Sequence, residues 1–78
     1  MGRKWSVTRT GVYEVYRRIM RGNRGIVTGS VWQEPSIRKY RWMAASDRVV
    51  RLGVLKSLQG ALVACSRVMY RLARDVDN

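Results

Sequence analysis

From Leu55 onward the apolar residues fall at alternating spacings of three and four: Leu55, Leu58, Leu62, Cys65, Met69, Leu72 and Val76. That rhythm winds a single apolar seam along a helix. Lys56, Arg67, Arg71 and Arg74 gather on the opposite face, within about sixty degrees of one another at one hundred degrees per residue. Ser46 followed by Asp47 has the form of a helix start, a capping hydroxyl with an acid in the first turn. The pattern predicts a long amphipathic helix from there to about Arg74, with Gly53 and Gly60 each weakening it by up to ~1 kcal/mol.

Residues 11–21, GVYEVYRRIMR, also carry apolar residues at helical spacing: Val12, Val15 or Tyr16, and Ile19. Glu14 lies near the start and Arg17, Arg18 and Arg21 near the end, which complements a helix dipole. Gly22-Asn23-Arg24-Gly25 then stops the segment, so a short basic helix is expected. Residues 26–43 read differently. IVTGSVW is β-branched, Pro35 favours a turn, and IRKYRW follows, which together predict a β-hairpin. In the competing reading Pro35 opens a helix running to about Ala45. The expected fold is therefore a helix-dominated α+β domain: short basic helix, β-hairpin, long C-terminal helix. An all-α bundle is the alternative. Residues 1–10 form a basic arm and residues 11–78 one small domain.

Composition fits a folded chain. In 78 residues, 46% are apolar, with three Trp and four Tyr, which argues against a disordered basic tail. A domain this short buries only about 60% of the surface its unfolded chain exposes, so self-association through the seam of Leu55, Leu58, Leu62, Cys65, Met69 and Leu72 is an attractive supplement. Packing of that seam on the rest of its own chain is the other outcome. Cys65 lies on it and reads as a small buried hydrophobe. With a single Cys and no His, neither an internal disulfide nor a conventional zinc site can form, and no cofactor is implied. Enzyme signatures are missing: the five acids are scattered and there is no phosphate-binding loop or nucleophile motif. No apolar run reaches membrane-spanning length and no signal peptide is visible. The opening Met1-Gly2-Arg3-Lys4-Trp5-Ser6 fits only the loose form of a myristoylation signal. A cytoplasmic, nucleoid or nuclear setting is expected.

Charge then decides the class of partner. Sixteen Lys and Arg oppose five Asp and Glu, a formal net charge of +11. Holding that many like charges on a small domain costs free energy, and a polyanion relieves it. The strongest cluster is Arg17, Arg18, Arg21 and Arg24, ending in a glycine-framed turn whose amides could approach a phosphate. Next come Arg38, Lys39 and Arg41, interleaved with Tyr40 and Trp42 as a stacking surface for bases. Arg67, Arg71 and Arg74 form the third group, with no acid between Asp47 and Asp75 to balance them.

The order of VYEVYRRIMRGNRG, a hairpin closing on RKYRW, and SDRVVRL resembles the later part of excisionase-type winged-helix DNA-binding domains. That resemblance implies Arg17, Arg18 and Arg21 on a groove-facing helix and Arg38, Lys39 and Arg41 on the wing. The helix that opens such a motif has no counterpart here, because residues 1–10 are too short and polar.

The expected function is nucleic-acid binding through arginine–phosphate contacts, leaning to duplex DNA over RNA. One alternative is a small regulator or inhibitor that binds an acidic protein surface, favoured if the cations scatter over the fold. Another is a structural RNA-binding protein of ribosomal type. Membrane association by the basic C-terminal helix ranks below these.

Overall fold

The computed structural model describes residues 4–11, 13–23 and 25–74. The N-terminal glycine of the myristoylation pattern, Arg24 and Val76 therefore lie outside the described residues. Five strands run in chain order: β1 (Ser6–Thr10), β2 (Tyr13–Arg21), β3 (Ile26–Glu34), β4 (Lys39–Ala45) and β5 (Val50–Leu55). One helix, α1 (Leu58–Arg74), follows them. The strands form an antiparallel meander in which each pairs with its sequence neighbour, so the sheet order is β1-β2-β3-β4-β5.

This overturns the helix-dominated expectation and its all-α alternative. Strand residues dominate the described chain. The segment expected as a short basic helix is β2. Its Val, Tyr and Ile residues suit a pleated surface, and burial against neighbouring strands outweighs the helical spacing. With that helix gone, the winged-helix arrangement is absent. Ser6–Thr10, read from the sequence as the end of an arm, pair with β2 as an edge strand.

The long helix is real but begins later than Ser46. The Ser46 hydroxyl instead accepts the backbone N–H groups of Arg48 and Val49, closing the β4–β5 turn. Ser57 is the true cap: its Oγ accepts the Gly60 N–H at 3.0 Å and its carbonyl accepts the Ala61 N–H. The hairpin expected over residues 26–43 is β3–β4, with Pro35 in the loop 35–38. Arg38 ends that loop with φ at 54° and gives its N–H to the Glu34 carbonyl.

Among the described residues, the buried apolar ones lie between α1 and one face of the sheet: Val27, Val31 and Ala44 below, Ala61, Cys65 and Met69 above. Leu58, Leu62 and Leu72 pack at the margin of that core. The helical seam is thus spent within the chain, and a coiled-coil dimer cannot use the same face. Leu55 closes β5 rather than opening the helix. At the far end, Asn23 in the β2–β3 turn gives its N–H to the Ala73 carbonyl at 3.0 Å and its side-chain amide to the Arg74 carbonyl. The glycine-framed turn therefore caps a helix terminus, and its Asn23 amide is spent there rather than on phosphate.

Close approach of helix to sheet needs Gly29. A β-carbon there would collide with the Met69 sulfur and come within 2.9 Å of Cys65 Sγ. Both side chains are fully buried, so Met69 would have to change rotamer within a packed core. Gly29→Ala is expected to lower unfolding stability by about 1–3 kcal/mol, the usual cost of overpacking, as read from urea melts. Cys65 offers a second check. Burial pushes its thiol up to about 11, against the backbone hydrogen bonds at Ser30 and Met43 and the charge of Arg18, which lower it. Native protein should resist iodoacetamide at pH 8 and react fully in denaturant. Because the unfolded thiol ionises first, stability should fall as pH rises from the ordinary thiol range toward about 11.

Candidate functional site

Side chains alternate across a strand, so the register assigns each residue to the helix side or the open side. On the open side one row runs Thr8, Val15, Trp32, Arg41, Val54 across all the strands. The next runs Ser6, Arg17, Ser30, Met43, Leu52. A third carries Ile19, Thr28, Ala45 and Val50, and beyond it Arg21 faces Ile26. Tyr13 and the Glu34–Lys39 pair lie at the opposite end. No described element covers this face.

Its composition is unusual for solvent-facing sheet. Ile19 is 70% exposed and Leu52 71%, while Trp32, Val15 and Tyr13 are half-buried by their neighbours. Arg17 sits diagonally beside Trp32, within reach of a long side chain. Arg41 is directly opposite Trp32, and its Nε donates to Glu34 Oε1 at 3.1 Å. Among the described residues the other ion pair is Arg9–Glu14 at 2.9 Å, across β1 and β2 on the helix side. Arg17, Arg21 and Lys39 have no carboxylate partner among the described residues. Aromatic faces, cations and small hydroxyl residues therefore share one exposed surface.

The expected site residues divide into groups. Arg17, Arg21, Lys39 and Arg41 share the open face, with Arg17 and Arg41 on either side of Trp32 and Lys39 and Arg21 at its two ends. Arg38 stands exposed at the rim, in the β3–β4 loop. Arg67, Arg71 and Arg74 are exposed on the outer side of α1, the opposite surface of the molecule. Tyr40 and Trp42 face the helix and pack at the core, so the base-stacking role read for them does not stand. Trp32 and Tyr13 are the aromatic residues of the open face. Sequence reasoning missed them, although Trp32 is in step with Ile26, Thr28 and Ser30 on a β-period.

Arg18 departs most from expectation. It points to the helix side and is only 9% exposed. One terminal nitrogen donates to Ser66 Oγ at 2.9 Å and the other to the Tyr70 hydroxyl at 2.8 Å. The guanidinium carbon lies 5.1 Å from the Tyr70 ring centre and 6.0 Å from that of Trp5. The Arg18 hydrogen bond, then its charge and that of Lys4, hold the Tyr70 hydroxyl below its usual range. Arg18 thus ties β2 to α1 through a planar cation between two rings. It is a structural group, withdrawn from any phosphate.

Arg18→Ala should cost about 2–3 kcal/mol of stability, because charged hydrogen bonds and ring contacts are lost together. Arg18→Lys should recover little, since an ammonium cannot reproduce the fork. Arg17→Ala, one residue away but on the open side, should stay within about 0.5 kcal/mol of the parent. Thermal and urea unfolding of the three variants measure this.

Among the described residues no cluster could hold a metal ion, and no helix is long and apolar enough to cross a membrane. No protein-family model, curated protein or solved structure matches the chain.

Proposed function

We propose that the chain binds single-stranded nucleic acid across the open face of its sheet. The observation that carries this reading is one uncovered surface that sets Arg41 opposite Trp32 and Arg17 diagonal to it, with Tyr13 and Lys39 toward one end and Arg21 at the other. Cations neutralise phosphates, and rings presented at a surface, here half-buried, stack on bases that are not already paired. A duplex hides its bases and would leave the apolar part of the face unused, so the earlier lean toward duplex DNA gives way to single strands. Five strands at about 4.8 Å spacing give a platform roughly 19 Å wide, matched to a flexible strand. This role assigns the chain to the compartment of its polynucleotide: cytoplasm, nucleoid or nucleus.

The rival reading, a module that binds an acidic protein, is favoured by the cations on the far side of α1 and by the exposed Ile19 and Leu52. It expects acidic polypeptides to compete with oligonucleotides at equal charge, and the helix stripe to carry the affinity.

Fluorescence anisotropy with labelled homopolymer DNA, homopolymer RNA and duplex separates them. Four phosphate contacts at ~0.7 each give a slope near −2.8 for log affinity against log salt, about a 50-fold loss between 50 and 200 mM. Arg17→Ala/Arg41→Ala should flatten that slope by about 1.4. Trp32→Ala should lose about 1–3 kcal/mol of binding. Arg67→Ala/Arg71→Ala/Arg74→Ala should change neither. Affinity insensitive to salt, or loss confined to the helix variant, would remove the open face as the site.

A further inference from the structure

We propose that two copies of this chain join edge to edge through β5, about a twofold axis at Leu52. β5 is an outer strand, and its outward backbone groups have no partner among the described residues. Unpaired edges are templates for another strand, and folded proteins usually blunt them with charge, proline or brevity. β1, the other edge, is shorter and more polar: five residues with one apolar side chain, Val7, among Ser6, Thr8, Arg9 and Thr10. β5 carries four apolar residues in six. Its sequence is VRLGVL, with one charge and no proline. Val50 is 56% exposed, Leu52 71% and Val54 41%, all on the open face.

The register follows from the sequence of this strand. Residues opposite each other in an antiparallel pair share a face, so a twofold normal to the sheet pairs only residues that alternate in step. Centred on Leu52, the pairing sets Leu52 against its copy and Val50 against Val54 on both sides of the axis. The open face then gains an unbroken apolar seam. On the helix side each Arg51 falls opposite the other copy's Gly53. At Gly53 the space of a β-carbon is filled by the indole of Trp42. Each guanidinium therefore arrives beside an indole and not beside another cation, a cation–π complement across the junction. Centring on Arg51 would oppose two like charges, which is destabilising. Centring on Gly53 would set Val50 against Lys56, beyond the strand end.

The product is one continuous antiparallel sheet with both open faces on the same side. Its formation does not depend on the nucleic-acid reading, and salt tells the two apart. Two molecules of net charge +11 repel, so added salt should strengthen the dimer while it weakens polynucleotide binding.

The test uses the full chain free of nucleic acid. Sedimentation velocity from micromolar to submillimolar protein should give a monomer–dimer equilibrium that shifts toward dimer with salt. Leu52→Arg should be monomeric with unchanged circular dichroism, its site being exposed. Leu52→Cys should form an intermolecular disulfide under mild oxidation about tenfold faster than Ile19→Cys, whose exposure of 70% is nearly the same. Val50→Cys alone should cross-link slowly, and Val50→Cys/Val54→Cys rapidly. Native Cys65 is buried and does not compete. A monomer at every concentration, equal cross-linking at Leu52→Cys and Ile19→Cys, or open-ended polymers from β1–β5 pairing would each overturn the proposal.

Discussion

One contact holds this molecule together: the stripe Ala61, Cys65, Met69 of α1 laid against Val27, Val31 and Ala44, over the bare backbone of Gly29. Few side chains are fully buried, as expected for so short a chain. The helix reaches mainly the central strands β3 and β4. A single helix cannot cover both faces of a sheet, so one face stays open as a matter of geometry.

Six of the described cations sort into three kinds of setting, while Arg67, Arg71 and Arg74 stand apart on the outer side of α1. Arg18 works inside, as a flat cation between rings that fastens the sheet to the helix. Arg9 and Arg41 are partly neutralised by Glu14 and Glu34. The remaining open-face cations are Arg17 diagonal to Trp32, Lys39 opposite Glu34 and Arg21 opposite Ile26, and under the proposed reading the first of these offers phosphate and base adjacent footholds. Guanidinium in place of ammonium suits all three uses, since it stacks, forks and resists deprotonation.

The sequence carried some of this plainly and hid the rest. The helix was legible because Leu58, Leu62, Cys65, Met69 and Leu72 keep their period over more than three turns. The β3–β4 hairpin was legible from its β-branched run and Pro35. β2 was misread because its apolar residues lie on both sides, Tyr13, Val15 and Ile19 outward and Tyr16 and Met20 inward, which erases the two-residue alternation. Its content of Val, Tyr and Ile was the signal available. β5 was absorbed into the helix because Leu55 falls in step with the seam that begins at Leu58. Ser57 was the better boundary, with Gly53 upstream arguing for strand. Of the candidate site, Arg17, Arg21, Lys39 and Arg41 were found, but their shared face was invisible until the strands were paired. Arg18 was indistinguishable in sequence from its neighbour Arg17, since only the pleat sends one inward and the other out.

The most direct measurement of the central claim is an amide and indole chemical-shift map of the labelled protein titrated with a short single-stranded oligonucleotide. The account expects the Trp32 indole and the amides of Arg17, Ser30, Trp32 and Arg41 to move together and saturate, while Arg67, Arg71 and Arg74 stay fixed. Shifts centred on the outer face of α1, with the Trp32 indole unmoved, would contradict it.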